Sequence, residues 1–182
     1  MERSLVERAM HGDKVAFDAL IERHGDHLHS VARRILRDPY LAEDATQRAL
    51  LDTWRYLPTL RDPDRFEAWA HRLLVRACLA EARNERRHRS SVPLLTIDDP
   101  VVMDSAARIA TRQQLDLAFR RLGIEHRTVV VLIHYVGMSA IEAAAAMGTP
   151  VGTVRSRLHY ALKYLRAAIE ADARLEQEVG TA

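Results

Sequence analysis

Residues 138–166 read MSAIEAAAAMGTPVGTVRSRLHYALKYLR and predict two helices joined by a tight turn. Ser139 and Glu142 have the spacing of a capping box at the start of the first helix, and Gly148 is suited to end that helix. The pair Thr149-Pro150 is typical of the start of the second helix, where the Thr hydroxyl can accept a hydrogen bond from an unpaired backbone amide. Because small Ala side chains let the two helices pack closely, the stretch predicts a helix-turn-helix.

The second helix of this pair is both amphipathic and basic. Its apolar stripe, which predicts a core-facing side, consists of Val151, Val154, Leu158, Leu162, Leu165 and Ile169. Its cationic stripe consists of Arg155, His159, Lys163 and Arg166, with Arg157 beside it. Gly152 costs about 1 kcal/mol of helix stability relative to Ala, which suggests that a phosphate approaches the backbone there. Two alternatives stay open at this point: a solvated surface helix, and an Ala-rich helical hairpin that does not bind DNA.

Composition favours a mostly helical protein. The chain has 182 residues, of which 48% are hydrophobic and only 5% aromatic, with few Gly and Pro. The net charge is +2, but the cations are concentrated in patches, so a polyanion partner is allowed. Cys78 is the single cysteine, which excludes an intrachain disulfide and predicts a small buried apolar side chain.

Neither a signal peptide nor a membrane span is predicted. The first ten residues are charged throughout, and the longest run without Asp, Glu, Lys or Arg, residues 128–141, is too short to cross a bilayer. We therefore expect a cytoplasmic protein without membrane insertion.

Helical periodicity dominates the chain outside one segment. Gly12 and Asp13 break a first short helix, and the next helix ends before Asp38-Pro39. Asp38-Pro39 starts a helix from Tyr40 to about Leu57, and further helices are predicted from Phe66 to Arg89 and from about Ala106 to Leu122. The β-branched stretch 125–137 is compatible with a strand, but its length and surroundings favour a core helix. Residues 90–104 contain two prolines and three acids and no cation, which indicates a linker. The predicted fold class is all-α, with two small helical domains joined by a flexible linker and a helix-turn-helix in the second.

Motifs of enzyme catalysis are absent from the sequence. It contains no Gly-rich phosphate loop, H-E-x-x-H helix, C-x-x-C pair or G-x-S-x-G elbow, so neither a catalytic residue nor a cofactor is predicted. The stretch HGDHLH, His24 to His29, resembles a set of metal ligands. His24 and His27 could share a helix face, but no fourth ligand is evident, so we favour a solvated face and predict no metal.

The stretch Arg65 to Arg89 is strongly basic and begins with aromatic residues. It holds seven arginines against Glu67, Glu81 and Glu85, with Phe66 and Trp69 near its start. Cations along a helix neutralise phosphates, and an aromatic ring at its end can stack on an unpaired base. This combination is suited to DNA that is being opened. The alternative is that both rings belong to the core.

Five segments occur in a fixed order and cover nearly all of the chain. They are GDKVAFDALIERHGDHL (12–28), LAEDATQRALLDTWRYL (41–57), RFEAWAHRLLVRACLAEARNERR (65–87), the acidic linker, and GMSAIEAAAAMGTPVGTVRSRLHYALKYLR (137–166). In this order they resemble an extracytoplasmic-function (ECF) sigma factor, the promoter-recognition subunit of bacterial RNA polymerase. The resemblance implies sigma region 2 in residues 1–89, a linker in 90–105 and sigma region 4 in 106–182.

The resemblance also implies a function and partners. An alternative sigma factor binds core RNA polymerase and directs initiation at specific promoters, without being an enzyme and without a cofactor. Promoter DNA and core RNA polymerase would be the partners, and an anti-sigma factor is allowed as a third. Two other functions stay open: a helix-turn-helix repressor or activator, and a factor that binds polymerase without initiating.

The family's functional residues can be placed on this sequence. Those implied to dock on the polymerase clamp are Glu43, Asp44 and Gln47. The loop 57–64 would capture and help melt the minus 10 element together with Arg65, Phe66, Trp69, Arg72, Arg76 and Arg83. The minus 35 element would be read in the major groove by Gly152, Thr153, Arg155, Ser156, Arg157, His159 and Lys163. The linker would thread toward the polymerase active-site channel.

The sequence departs from the family pattern at two places. The family commonly has an Arg-Asn pair and then an Asp after the Trp, where this chain has Val75, Arg76 and Ala80. The first helix of the helix-turn-helix usually carries a Tyr-Glu-Glu-Ile series, which is reduced here to residues 140–143. These departures bear on promoter sequence and melting strength rather than on the fold.

Overall fold

The described residues fold entirely into helices and turns. The computed structural model describes residues 2–89 and 115–179, with side-chain environments for 2–88 and 115–170. The helices are α1 (Glu2–Met10), α2 (Lys14–Leu36), α3 (Pro39–Tyr56), α4 (Phe66–Arg89), α5 (115–121), α6 (Ile124–Val130), α7 (Ala140–Met147) and α8 (Val151–Val179). The predicted all-α class is confirmed. Within these residues no helix has the length and hydrophobicity that crossing a bilayer requires.

Aspartate caps start two of the long helices. The Asp13 carboxylate accepts the Ala16 amide at 3.1 Å, and the Asp38 carboxylate accepts the amides of Tyr40 and Leu41. Pro39 follows Asp38 at the first helical position, where a missing N–H costs nothing. These caps confirm the breaks that the sequence predicts before α2 and α3.

The stretch that could have been a strand is helical. It forms α6 and continues through one π-helical turn, Val131–Tyr135. Its β-branched and aliphatic side chains, Val129, Val131 and Leu132, are buried on the core side. The predicted linker and the start of the helix predicted from about Ala106 lie outside the described residues.

One hydrophobic core runs through both halves of the chain. It includes Leu20, Ile35 and Leu74 from the first half and Leu132 and Val154 from the second. Helix α4 packs against α3 on one side and against α7 on the other. The described parts of the two halves are therefore in direct contact.

A buried arginine joins the two halves. Arg127 in α6 is 9% exposed, and its Nη1 donates to the carbonyl of Ile35 at the end of α2, at 2.9 Å. Its Nη2 donates to the carbonyls of Arg120 and Leu122 at the end of α5, at 3.0 and 2.8 Å. Burial, with a contribution from nearby Arg37, lowers the pKa of Arg127 to about 10, so the guanidinium remains charged at neutral pH.

Two further contacts reinforce this junction from the end of α2. Arg37 ends that helix in the left-handed conformation, with φ of 60°, and its Nη2 lies 2.5 and 2.6 Å from the two carboxylate oxygens of Asp116. Arg34 places its guanidinium carbon 3.8 Å from the ring centroid of Tyr135. Burial works against ionisation of Asp116, but Arg37 and Arg120 hold its pKa below the ordinary value.

We expect Arg127→Met to reduce the free energy of unfolding by about 3 kcal/mol, because three buried carbonyls would lose a charged donor. Arg127→Lys should recover only part of this loss, since an ammonium lacks the planar fork that reaches two helix ends. Urea unfolding monitored by circular dichroism measures the effect. The control is Arg120→Met, whose exposed side chain pairs with Asp116 at 3.0 Å and should cost below about 1 kcal/mol. Equal losses in the two Met variants would contradict the role of Arg127.

Candidate nucleic-acid interface

The helix-turn-helix is formed by α7 and α8. The Ser139 hydroxyl accepts the Glu142 amide at 3.2 Å, and the Glu142 carboxylate accepts the Ser139 amide at 2.9 Å, which completes the predicted capping box. These hydrogen bonds, with a smaller contribution from Arg65, lower the pKa of Glu142. Gly148 ends α7 with φ of 63°, a conformation that favours glycine, and α8 begins at Val151.

The turn is held differently from what the sequence suggests. The Thr149 hydroxyl oxygen is buried and has no hydrogen-bond partner among the described residues, so the predicted side-chain cap is wrong. The Thr149 amide instead donates to the Ala144 carbonyl at 3.1 Å, and the Pro150 carbonyl accepts the amides of Thr153 and Val154. With Gly148 in the left-handed conformation, the turn is held by backbone hydrogen bonds and not by the Thr149 hydroxyl.

One face of α8 is buried and another is cationic, as predicted. Val154, Ala161 and Leu165 are buried, whereas Leu162, predicted for the core, is 36% exposed. The buried residues Val154, Ala161 and Leu165 are spaced by seven and then four positions. This spacing places Ala161 rather than Leu162 on the core side of α8. The four members of the predicted basic stripe are all exposed: Arg155, His159, Lys163 and Arg166.

The predicted readers on α8 are not equally available. Arg157 is half-buried and forms an ion pair with Glu125 of α6, so it serves the packing of its own chain. Arg155 is exposed and has no ion pair with the residues that the structure describes. Ser156 donates to the Thr153 carbonyl at 3.0 Å, Thr153 is half-buried, and Gly152 lies exposed with open space beside it.

The basic helix α4 has an exposed and a buried side. Arg65, Arg76 and Arg83 are exposed, although Arg65 lies 3.8 Å from the Asp62 carboxylate, and Arg72 is half-buried. Phe66 is only 3% exposed and Trp69 is partly buried against the core. The alternative that both rings pack in the core is therefore correct for Phe66 and partly correct for Trp69.

Of the departures from the family pattern, Val75 is fully buried, Ala80 is half-buried and Arg76 is exposed.

A polar stripe lies on the exposed side of α3. Glu43, Asp44 and Gln47 are all exposed, and the Gln47 amide donates to the Glu43 carboxylate at 3.2 Å. Tyr40, one turn before Asp44, is 79% exposed, and Leu51, one turn after Gln47, is 67% exposed. Polar side chains in the stripe are thus flanked by two large apolar ones, and such a mixture is typical of a protein-binding surface.

The histidine cluster of α2 is packed rather than solvated. His24 lies 2.8 Å from the Glu2 carboxylate, His27 contacts the rings of His71 and Tyr135, and the expectation of a solvated face is wrong. His71 itself is buried in α4 and was not singled out from the sequence. The sequence signal that could have indicated His71 is its spacing of four residues from Glu67.

Cys78 is fully buried, and burial raises the pKa of its thiol to about 12, as expected for an unreactive core residue.

Comparison with known families matches both halves of the chain. Residues 20–88 match Sigma-70 region 2 and residues 112–165 match Sigma-70 region 4. The ECF RNA polymerase sigma factor SigM of Mycobacterium tuberculosis is 35% identical over 147 residues, which cover 80% of this chain and 73% of SigM. The RNA polymerase sigma-E factor of Streptomyces avermitilis is 36% identical over 172 residues, covering 92% and 95% of the two chains.

Solved structures show the same fold. CnrH, solved in complex with the cytosolic domain of CnrY, is 31% identical, with a TM-score of 0.65 and coverage of 94% of this chain and 98% of CnrH. The sigma factor RpoE of Bartonella quintana, solved with the anti-sigma factor NepR, has a TM-score of 0.68 at 21% identity and supports the fold alone.

The two sigma regions define an RNA polymerase sigma factor, which is a transcription initiation factor and not an enzyme. More narrowly, the chain belongs to the ECF family of alternative sigma factors. The match of residues 20–88 to region 2 excludes the alternative of an ordinary helix-turn-helix regulator, because such a regulator would account for the second half only.

Proposed function

We propose that this chain binds core RNA polymerase and directs initiation at its own set of promoters through three separate surfaces. The observation that carries the proposal is that one chain combines both sigma regions, with a polar stripe exposed on α3 and a cationic stripe exposed on α8. Because polymerase and promoter DNA differ in chemistry, separate surfaces of different charge can engage both at once.

The stripe on α3 is the proposed polymerase-docking surface. Its acids and Gln47 supply charge and hydrogen bonds, while exposed Tyr40 and Leu51 supply apolar area. Large apolar side chains ringed by polar groups are the usual source of affinity at protein interfaces. The opposite side of α3 is committed to the core through buried Ala42, Ala45 and Ala49, so docking through α3 must use its exposed side.

The exposed side of α4 and the preceding loop form the proposed minus 10 surface. Arg76 and Arg83 project from α4 into solvent and are suited to phosphate contacts, which position DNA without reading its sequence. Buried Phe66 supports the start of α4 instead of stacking on a base. Base capture then falls to exposed groups of residues 57–64, together with the accessible part of Trp69.

The N-terminal turns of α8 form the proposed minus 35 surface. A recognition helix enters the major groove by its N-terminal end, where Gly152, Arg155 and Ser156 are exposed. Arg155 is the best placed donor for guanine, since Arg157 is held by Glu125. His159 and Lys163 lie further along the stripe and are suited to backbone contacts.

Promoter binding requires the two halves to separate. The two elements are centred about 25 base pairs apart, which is roughly 85 Å along B-form DNA. Helix α4 packs directly against α7, so the arrangement in this structure cannot place α4 and α8 on both elements together. We therefore propose that polymerase binding releases the contact between α4 and α7.

The proposal also includes where the protein acts and a third partner. Promoter recognition takes place where the chromosome is, so we place the chain in the cytoplasm.

The similar protein CnrH was solved with the cytosolic domain of CnrY. By analogy we propose an anti-sigma partner for this chain, and a cleft of about 650 Å³ between the two halves, lined by Arg33, Arg34 and Arg37, is a candidate surface for it.

Run-off transcription with purified core polymerase tests the proposed function. Promoters selected from random DNA by the reconstituted holoenzyme serve as templates, and we expect transcripts that depend on adding the chain. Stable binding to polymerase without transcripts from any selected template would instead support the alternative factor that does not initiate.

We expect Asp44→Arg to weaken binding to core polymerase at least about tenfold, because charge reversal adds repulsion in the middle of the proposed docking stripe. Fluorescence anisotropy of the labelled full chain measures the affinity. The matched control is Asp18→Arg, which reverses an exposed acid on α2 away from the stripe and should bind normally. Unchanged affinity in Asp44→Arg would remove α3 as the docking element.

We expect Arg155→Ala to cost about 1–3 kcal/mol of promoter affinity and to relax preference at one or two minus 35 positions. Arg166→Ala, on the same stripe about three turns later, should cost little and change no preference. Competition binding of the holoenzyme to single-base promoter variants separates the two results. If Arg155→Ala lowered affinity equally for all variants, Arg155 would be a phosphate contact and not a reader.

A further inference from the structure

Three potential metal ligands from two helices converge beneath the start of α4. His27 lies on α2, and Glu67 and His71 lie one turn apart on α4. One ligand atom from each residue can be chosen so that all three lie within 4.8 Å of one another. The cluster shares α4 with the proposed minus 10 surface, but it has no residue on the stripes of α3 and α8.

His71 has the state that metal coordination requires. Its Nδ1 lies 2.9 Å from the Glu67 carbonyl, which can only accept, so Nδ1 carries the proton and Nε2 carries the free lone pair. Metal-binding histidines are commonly fixed in this way by a backbone carbonyl. Burial lowers the pKa of His71, which favours the neutral imidazole.

A purely structural role for His71 would leave its unpaired Nε2 atom unexplained. His71 is 1% exposed, and its Nε2 is buried without a hydrogen-bond partner among the described residues. Buried polar atoms in folded proteins are nearly always satisfied, and those that are not call for a specific explanation. A simple core residue at this position would be expected to be apolar, as Leu74 and Val75 are on the same helix.

The other two groups lie close to the His71 side chain. The His27 ring lies 5.4 Å from the His71 ring at an interplanar angle of 79°, and its other neighbour is the Tyr135 ring at 5.6 Å. These contacts restrain His27 from two sides. Glu67 is exposed, so an ion can reach the cluster from solvent on its side.

We propose that His27, Glu67 and His71 form a binding site for a divalent first-row transition metal ion of the Zn²⁺ type. Two imidazoles and one carboxylate suit Zn²⁺ and its neighbours, whereas Mg²⁺ and Ca²⁺ prefer all-oxygen sites. Three protein ligands leave room for water or a ligand from a partner at the remaining position. The ion would link α2 to α4 and hold His27 in its contact with Tyr135 of the second half.

Zinc titration of the full, untagged chain against a chromogenic chelator tests this proposal. We expect one saturable Zn²⁺ per chain, with the dissociation constant raised at least about tenfold by His27→Gln and by Glu67→Gln. Both residues retain solvent contact, so these variants should fold, which circular dichroism checks. The matched control is His24→Gln, on α2 one turn earlier and bonded to Glu2, which should bind Zn²⁺ as the wild type does.

Cobalt substitution supplies a second measurement that reports the ligands directly. We expect visible absorption bands from bound Co²⁺ that are lost in both ligand variants and kept in His24→Gln, with no displacement by excess Mg²⁺. The proposal is overturned if the wild type binds no Zn²⁺ saturably. It is equally overturned if the two ligand variants bind as tightly as the wild type, because surface histidines would then account for the binding.

Discussion

One buried guanidinium adds directed hydrogen bonds to the hydrophobic core that joins the two halves of this sigma factor. Arg127 donates to carbonyls at the ends of α2 and α5, where helix dipoles concentrate partial negative charge. An apolar side chain would leave these carbonyls unpaired, and an ammonium could not reach both helix ends. Since α6 carries Arg127 and packs against α8, this contact and the packing of α4 against α7 together fix the cationic stripe relative to the first half.

Helix α4 combines two tasks that compete for its surface. Its buried side supplies Leu74, Val75 and Cys78 to the core, and it also packs against α7 of the second half. Its remaining surface carries the arginines assigned to DNA. The two halves are therefore held together partly through the same helix that we propose to bind the minus 10 element. The proposed release of α7 would expose more of α4, and polymerase binding would then change the affinity of α4 for DNA.

The helices and their ends were largely predictable, because caps and periodicity are local. The caps at Asp13, Asp38 and Ser139 act within one helical turn, so the adjacent residues in the sequence are enough to recognise them. The Thr149 hydroxyl does not cap α8, and the amides of Thr153 and Val154 donate to the Pro150 carbonyl instead. Ala161 rather than Leu162 is buried because α8 presents that side to Ala118 and Leu122 of another helix and its end.

The sequence by itself determined the all-α class, the helix-turn-helix, the resemblance to the ECF family and the cationic stripe on α8. These depend on local spacing and on residue order, which the chain displays directly. Only the tertiary structure decided that Arg157 pairs with Glu125, that Phe66 is buried, and that His27 meets His71. Each of these involves side chains from different helices. Their meeting is set by how the helices cross, and no spacing within a single helix encodes it.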